Sequence, residues 1–406
     1  MKIRSITCFC SPGWPLVEKR VRQSGAFLAR AREAYQSAGY EVQTVRLATT
    51  PFASVLNATT IGATPRLAQE LSALLPETGI DYAALGPAFP SLPQSYAVIP
   101  SAIAASENVF FSGVMAEGQH LFLEAVRACA QVVVECAALS PDGFANLRFA
   151  ALANVPPGTP FFPAAYHRGG PAAFAIACEA ADVAVNAFHQ ARSVQEGQRI
   201  MVAELEEHAE RIQRVARELA REENVRFGGI DLSLSPFPQE SCSLGAALER
   251  LGVARVGLHG SLAAAAILAE TLEGVRFPRA GFSGLMMPVL EDSVLAARAA
   301  EGVLTVKDLL LYSAVCGAGL DTVPLPGDVS TDQVAALLLD VAALALRLNK
   351  PLTARLMPIP GKRAGDEVAF AFAYFARGGV LSLEAESLTL PLAGQETFVV
   401  QKRRWT

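Results

Sequence analysis

Residues 227–262, FGGIDLSLSPFPQESCSLGAALERLGVARVGLHGSL, place an acid, several hydroxyl groups, a glutamate and a histidine within an otherwise apolar stretch. Around Asp231, the apolar residues Ile230, Leu232 and Leu234 alternate with polar ones, which is the pattern of a strand with one polar face. Polar groups at the point where a buried strand passes into a helix commonly line a ligand cavity. We therefore interpret this stretch as the first wall of a pocket.

The rest of the second half alternates between predicted strands and predicted helices. Strands are predicted over 225–234, 253–260 and 282–290, each followed by a helix. Further strands are predicted at 320–325 and 352–358, on either side of a helix at 330–348. This alternation is typical of an α/β sheet with crossover helices.

Four polar residues fall at the ends or starts of these predicted strands, namely Asp231, His259, Glu291 and Asp321, separated by 28, 32 and 30 residues. These separations match the length of one strand–helix unit. In a sheet of parallel strands, residues at equivalent strand ends come together, and ligands bind there. The spacing therefore predicts that the four side chains form one cluster.

Helix capping is an alternative role for several of these residues. Asp292 is placed to begin the helix at 293, Ser243 to begin the helix at 243, and Asp321 to cap a turn. His259 is not a capping residue, so it is either a buried core histidine or a working base. We favour the working role, because Gly260 and a serine follow it and open a helix.

The first half shows the same alternation. Strands are predicted at 2–10, 40–47, 80–85, 108–111 and 144–153, and helices at 15–38, 64–77 and 117–135. Arg46 lies on the second of these strands and is a candidate substrate contact.

Residues 154–174, NVPPGTPFFPAAYHRGGPAAF, form the most irregular stretch. Four prolines before Tyr166 and His167 exclude a helix or a central strand. The segment is either a lid that brings His167 to the cavity or a rigid surface crossover. Residues 193–223 are a long charged helix that either crosses the outside or packs on a second subunit, which together with the apolar composition favours a homo-oligomer.

Composition narrows the class of protein. The chain has 406 residues, of which 51% are hydrophobic and 18% charged, with a net charge of −5. The sequence has no stripe of basic residues of the kind that binds nucleic acid. It also has no apolar run long enough for a membrane helix. The start, MKIRSITCFC, lacks the pattern of a signal peptide, and the seven cysteines are scattered, which is typical of reduced thiols. We expect a cytoplasmic protein with a small-molecule ligand.

Backbone N–H groups at Gly260, Ser283 and Gly284 are candidates for binding an anionic oxygen. The surrounding residues do not match a Walker loop or a dinucleotide loop, and no Gly-x-Ser-x-Gly motif occurs. Nucleotide binding is therefore not indicated.

The segments FGGIDLSLSP, VGLHG, SGLMMPVLED and AVCGAGLD resemble the motif series of a bacterial and archaeal family known as domain of unknown function 711. The resemblance covers essentially the whole chain. It implies a ten-stranded α/β barrel similar to glycyl-radical enzymes of the pyruvate formate-lyase type, with two five-stranded half-sheets around an enclosed site. The expected organisation is a single domain over 1–406, with half-barrels at about 1–190 and 225–380.

The family's polar motif positions fall on nine residues here: Asp231, Ser233, Glu240, His259, Glu291, Asp292, Cys316, Asp321 and His167. The chain departs from the family at 108–118, where a Gly/Ser/Thr/Lys-rich run is replaced by NVFFSGVMAEG, and in its C-terminal tail. A glycyl radical is not expected, because Arg377-Gly378-Gly379 is only a faint echo of the radical motif and no adjacent cysteine pair exists.

Two classes of function follow. The first is a non-radical enzyme, such as a lyase or hydrolase, acting on a small carboxylate or carbonyl compound. His259 would be the general base, Asp231 would stand beside it, and Glu240 or Glu291 would be its acid partner.

In a variant of this enzyme, Asp231, Glu240, His259 and Glu291 hold a divalent metal. Ser233, His167, Asp321 and Arg46 would contact the substrate, and Cys316 is a weaker candidate nucleophile. The second class is a non-catalytic protein that binds or senses a small molecule in the same cavity.

Overall fold

The predicted strands largely form, and most of them join one mixed sheet. The computed structural model describes residues 1–315 and 317–403. The strands are β1 (Lys2–Cys10), β2 (Val42–Thr49), β3 (Tyr82–Ala88), β4 (Val109–Glu117), β5 (His120–Phe122), β6 (Phe149–Ala153), β7 (Ala173–Glu179), β8 (Arg226–Asp231), β9 (Gly319–Pro326), β10 (Leu352–Ile359), β11 (Glu367–Val368), β12 (Gly378–Gly379) and β13 (Thr397–Val399).

The helices connect these strands in the predicted order. They are α1 (Glu18–Ser37), α2 (Phe52–Val55), α3 (Thr64–Glu77), α4 (Gln94–Ala97), α5 (Ile99–Ala104), α6 (Leu123–Ala137), α7 (Ala181–Gln190), α8 (Val194–Glu223), α9 (Leu244–Arg250), α10 (Ser261–Glu273), α11 (Ser293–Ala300), α12 (Val306–Ser313) and α13 (Thr331–Leu348). The long helix α8 begins where the sequence predicts, because Ser193 Oγ accepts a hydrogen bond from the Glu196 backbone N–H at 3.2 Å.

Two groups of parallel strands, running in opposite directions, make up the main sheet. Over the described residues the sheet has 11 strands, and its main path is β8-β7-β1-β2-β3-β4-β6-β10-β9. Strands β1, β2, β3, β4 and β6 are parallel to one another. Strands β7 and β10 pair antiparallel with β1 and β6 and carry β8 and β9 as parallel neighbours. The fold is therefore mixed α/β.

The structure does not show the closed ten-stranded barrel that the sequence led us to expect. The predicted strand at 282–290 is replaced by an irregular segment, 279–288, which touches both edges of the sheet through isolated parallel bridges. Ile230 on β8 pairs with Arg279, and Asp321 on β9 pairs with Pro288. Ser283 has a left-handed φ of 43°, which interrupts an extended strand at this point.

The predicted strand at 253–260 is also wrong. Residues 253–260 form turns between α9 and α10 with a single local bridge. Gly257 has φ of 107°, and a Cβ atom there would lie 2.3 Å from the Val303 carbonyl oxygen. The backbone thus bends where it meets a neighbouring loop, which explains why the apolar run does not extend.

Helices cover one face of the sheet, and the opposite face is filled by the proline-rich loop at 154–174. Small inward-facing residues on the strands, such as Ala48, Ala84 and Ala175, leave room for Phe162 of this loop. Thr7 Oγ1 donates to the Pro160 carbonyl oxygen at 2.9 Å and fastens the loop to β1. The part of the loop around Pro160 and Phe162 is therefore packed against the strands in the interior.

Within residues 1–315 and 317–403, no helix is both long and apolar enough to cross a bilayer.

Candidate functional site

Three arginines occupy the interior face of the sheet, each within a largely buried strand. Arg4 lies on β1, Arg46 on β2 and Arg355 on β10, and they are 9%, 8% and 7% exposed. Burying a guanidinium away from water is costly unless charged or polar groups compensate it. The identity of those compensating groups therefore defines the site.

Arg4 and Arg355 are held by carboxylates. Arg4 pairs through its two terminal nitrogens with Glu179 and Glu291. Arg355 Nη2 donates to Glu291 Oε1 at 2.8 Å, and its Nε donates to Asp321 Oδ1 at 2.5 Å. Glu291 thus bridges the two arginines, and the predicted neighbours Glu291 and Asp321 do come together.

The carboxylates of this network differ in how readily they hold a proton. Burial alone would raise the pKa of Glu291, but Arg4 and Arg355 outweigh burial and lower the pKa below its usual value. Burial raises the pKa of Asp321, Arg355 opposes this rise, and the charge of Glu291 adds to it. Glu291 is therefore the firmly ionised member, and Asp321 is the member that takes up a proton more easily.

Arg46 has no such carboxylate. Its Nε donates to Thr44 Oγ1 at 2.9 Å, and its guanidinium lies 5.1 Å from the centroid of the Phe162 ring and 5.8 Å from that of Tyr82. No ion pair of Arg46 occurs in the part of the chain that the structure describes. Burial lowers the pKa of Arg46 to about 10, and the positive charge of Arg4 adds to this effect.

A cavity of about 70 Å³ lies between these side chains. Its charged lining consists of three arginines and two carboxylates. The remaining wall is mostly apolar and aromatic, with contributions from the proline-rich loop and from a late segment that contains Phe372 and Tyr374. The charged lining residues are Arg4, Arg46, Arg355, Glu291 and Asp321, and the apolar wall includes Phe110, Leu147, Phe161, Phe162, Phe282 and Met286.

Asp231 is buried but does not line this cavity; it joins the end of β8 to the segment 279–288. Its carboxylate accepts hydrogen bonds from the Ser233 hydroxyl at 2.5 Å and from the backbone N–H groups of Ser233, Phe282 and Ser283 at 3.1, 2.7 and 2.9 Å. Burial raises the pKa of Asp231 to about 6, and the four hydrogen bonds oppose this rise because they favour the charged carboxylate. The Gly284 N–H donates to Ser233 Oγ at 3.2 Å. The N–H groups of Ser283 and Gly284, which the sequence predicts to bind a ligand, thus donate to Asp231 and Ser233 instead.

Other residues singled out in the sequence lie outside this cavity. His259 and Gly260 are exposed on the turn before α10, and Glu240 is exposed and lies 3.6 Å from Arg250. His167 is 4% exposed and lines a different cavity.

Asp292 acts as a cap and a junction. Its carboxylate accepts from the backbone N–H groups that open α11 and from Ser243 Oγ at 2.6 Å. Cys316 lies outside the described residues.

The structure does not gather Asp231, Glu240, His259 and Glu291 into one metal-ligand set. Among the described residues, no group of three or more His, Cys, Asp or Glu side chains is arranged to hold a metal ion. Asp231 belongs to the junction with Ser233, Glu291 to the arginine network, and the other two side chains are exposed.

Sequence reasoning missed Arg4, Arg355, Glu179 and Tyr374. The signal for the two arginines was present, because KIRSITCFC and LTARLMPI are apolar strands that each carry one internal arginine. Strand β2, VQTVRLAT, repeats the pattern with Arg46. A lone arginine inside a fully buried strand requires a partner or a ligand, and three such strands in one chain predict an arginine-lined interior.

The fold and this site define a mixed α/β protein with an arginine–carboxylate cavity on the inner face of its sheet. Comparison with known proteins gives the family. The sequence profile described as "Uncharacterised ACR (DUF711)" matches residues 1–377, and the chain belongs to this family.

Several curated relatives carry the name UPF0210 protein. That of Methanopyrus kandleri is 32% identical over 389 residues, which cover 90% of this chain and 83% of the relative. That of Pyrobaculum islandicum is 35% identical over 355 residues, covering 81% and 76%. That of Pyrobaculum arsenaticum is 39% identical over 261 residues, covering 60% of this chain and 55% of the relative.

Proposed function

We propose that the protein is an enzyme that performs acid/base chemistry on a small carboxylate or carbonyl metabolite held by Arg46. The observation that supports this proposal is the contrast among the three arginines. Arg4 and Arg355 have carboxylate partners, whereas Arg46 is equally buried and has none in the described chain. An anionic ligand would supply the missing partner.

The chemistry of the cavity favours a carboxylate over other anions. A guanidinium presents a planar pair of N–H donors that matches the two oxygens of a carboxylate. The charged side chains that line the cavity are three arginines and two carboxylates, and Glu179 pairs with Arg4 from outside the lining. The volume of about 70 Å³ suits a compact ligand, and the aromatic wall would exclude water around it.

Asp321 is the best placed group for proton transfer. It lines the cavity, and burial raises its pKa above its usual value, which favours its taking up a proton as an acid must. Arg355 fixes its orientation through the hydrogen bond from Nε. In this proposal Glu291 stays ionised and holds Arg4 and Arg355 in place. A catalytic role for His259 stays a prediction that does not involve this cavity.

A binding protein without turnover is the second candidate. The carboxylates of the network are tied to Arg4 and Arg355, which favours a rigid site that holds a ligand without reacting with it. Replacing Asp321 with Asn separates the two candidates, because an enzyme would lose turnover and keep its ligand. A binding protein would show no turnover to lose.

The test is to offer the purified protein a panel of short keto acids, hydroxy acids and dicarboxylates. Native mass spectrometry would report the bound ligand, and proton NMR would report its conversion. We expect Arg46→Met to weaken binding at least about tenfold, since one charge-assisted hydrogen bond is lost. Arg66→Met is the control, because Arg66 is exposed on α3 and pairs with Glu70. Equal binding by both variants, or no carboxylate bound by the wild type, would contradict the proposal.

We also propose that the sheet closes as a ten-position barrel resembling glycyl-radical enzymes of the pyruvate formate-lyase type. Support comes from the segment 279–288, which runs parallel to both β8 and β9 and lies between them. With this segment in the tenth position, each half would have five parallel strands. An experimental structure in which 279–288 leaves either edge strand would contradict this proposal. We likewise propose that the protein is cytoplasmic and forms a homo-oligomer.

A further inference from the structure

A second cavity of about 390 Å³ lies toward the opposite end of β1. Phe9, near the end of β1, lines it, whereas Arg4, near the start of the same strand, lines the first cavity. Five residues of extended strand separate the two positions by roughly 16 Å. The AAYHRGG motif, residues 164–170, contributes His167 and Arg168 to its wall, so this cavity explains a motif that the arginine–carboxylate site does not use.

The lining of this second cavity is strongly positive. Arg168, Arg226 and Arg279 line it, and no Asp or Glu is among its lining residues. The whole chain carries a net charge of −5, so the local positive charge of these three arginines has the opposite sign to the net charge of the protein. Glycines at 158, 169 and 281 with left-handed φ angles also bring backbone close to the cavity without side chains.

One of these arginines is anchored and two are open to a ligand. Arg279 Nη2 donates to the carbonyl oxygens of Leu272, Glu273 and Val275 at 2.9 to 3.0 Å, which fixes its charge at the rim. Arg168 and Arg226 are exposed, and neither forms an ion pair in the part of the chain that the structure describes. Two guanidinium groups without an ion-pair partner in the described chain thus line one cavity, and an anion bound there would be attracted to both.

His167 adds a neutral polar group to the same wall. Its ring is 4% exposed, and its Nε2 lies 3.4 Å from the Gly170 carbonyl oxygen. Burial lowers the pKa of His167, and the positive charge of Arg226 adds to this effect. The imidazole is therefore uncharged at neutral pH, and its one N–H faces the Gly170 carbonyl oxygen; an anion bound beside the ring would favour a proton on the second nitrogen, which would then donate to the anion.

We propose that this second cavity binds an oxyanion with more than one negative charge, of the phosphate or phosphate-ester class. Arg168, Arg226 and Arg279 surround the anion, and His167 contacts it from the buried side. The proposal is independent of the carboxylate function assigned to Arg46. A phosphate fits this cavity better than the first one, because the second is larger and has no carboxylate to repel a doubly charged group.

The test is calorimetric titration with inorganic phosphate and pyrophosphate at low ionic strength. We expect the wild type to bind both probes, and Arg168→Gln/Arg226→Gln to weaken binding at least about tenfold. The matched control is Arg199→Gln/Arg217→Gln, which removes the same charge from exposed positions on α8 and should bind like the wild type. Arg46→Met should also bind phosphate normally, which separates this site from the carboxylate site.

A second measurement follows His167 by NMR. Phosphate bound beside the ring favours the imidazolium, so saturating phosphate should raise the pKa of His167, whereas the ring resonances of the exposed His259 should not move on adding phosphate at constant pH. No binding of either probe by the wild type would overturn the proposal. Equal loss of binding in the two double variants would also overturn it, because the effect would then be general charge attraction.

Discussion

At the residue scale, the same side chain type has two different roles inside one sheet. Arg355 is stabilised by two carboxylates, Glu291 and Asp321, so removing either one leaves this buried charge with a single partner. Arg46 is buried with no ion-pair partner in the described chain, and the more distant charge of Glu291 favours its ionised form. A buried cation that lowers the stability of the ligand-free protein is expected where it binds a ligand. Functional sites often contain residues that reduce folding stability.

Glu291→Gln tests the network through its pH dependence. We expect the variant to be less stable than the wild type by about 3 kcal/mol near neutral pH, because two buried arginines lose a shared carboxylate. The pKa of Glu291 is lowered in the folded state, so its stabilisation is complete above the usual value of 4.5 and is lost as the pH falls below it. The difference in unfolding free energy between the two proteins should therefore shrink below that pH.

Urea unfolding of both proteins between pH 3 and 8 measures this difference. Glu386→Gln, at an exposed position, is the control and should follow the wild type throughout. A difference that stayed constant down to the lowest pH would show that Glu291 does not stabilise the fold through its charge.

At the scale of elements, the loop at 280–284 depends on Asp231. Gly281 has φ of 61°, and a Cβ atom there would lie 2.0 Å from Asp231 Oδ2 and 2.9 Å from Pro160 Cδ. Three segments of the chain thus meet at one glycine: the end of β8, the proline-rich loop and the bridging segment 279–288. The lack of a side chain at this position allows the carboxylate to accept the N–H groups that follow it.

Gly281→Ala and Gly302→Ala form a matched pair for this junction. Gly302 has φ of 67°, and a Cβ atom there would have no neighbour within 4 Å, so both variants share the left-handed backbone cost of about 1–2 kcal/mol. The free energy of unfolding of Gly281→Ala should fall by at least about 2 kcal/mol more than that of Gly302→Ala, because the added methyl group collides with Asp231. Chemical denaturation measures both. Equal losses in the two variants would show that Asp231 is not held as described.

Sequence reasoning succeeded where one local pattern determines the element. Helix α8 and strand β1 follow from periodicity and capping alone. It failed at 253–260 and 282–290, because contacts from distant segments decide whether such apolar runs pair with a neighbouring strand. The spacing of the predicted strands places Glu291 and Asp321 near each other, and both bind Arg355, which that spacing does not indicate because Arg355 lies far along the chain.

At the scale of the molecule, the two halves of the chain share one sheet. Strand β7 of the first half pairs with β8 of the second, and β6 of the first half pairs with β10 of the second. The charged network also draws Arg4 from the start of the chain to Glu291 and thereby to Arg355. Each half alone would expose an edge strand that the other half covers. Each would also leave buried charged side chains without their partners.

The chain should therefore unfold as one cooperative unit. We expect a single transition that coincides by circular dichroism and by tryptophan fluorescence. Fragments 1–190 and 225–406 should each lack a cooperative transition when expressed separately, because β6 and β10 would lose their shared pairing. A fragment 1–190 that unfolded cooperatively on its own would contradict this expectation.

The most direct test of the central claim compares two arginines in one thermal unfolding experiment, with and without the carboxylate found to bind. Arg46→Met should be more stable than the ligand-free wild type by on the order of 1–3 kcal/mol, because it removes a buried charge that has no ion-pair partner in the described chain. It should also lose the rise in melting temperature that the ligand gives the wild type. Arg355→Met should melt below the wild type, because Glu291 and Asp321 lose their partner. If Arg46→Met instead melts as low as Arg355→Met and still responds to the carboxylate, Arg46 is a structural residue and the proposed ligand site is wrong.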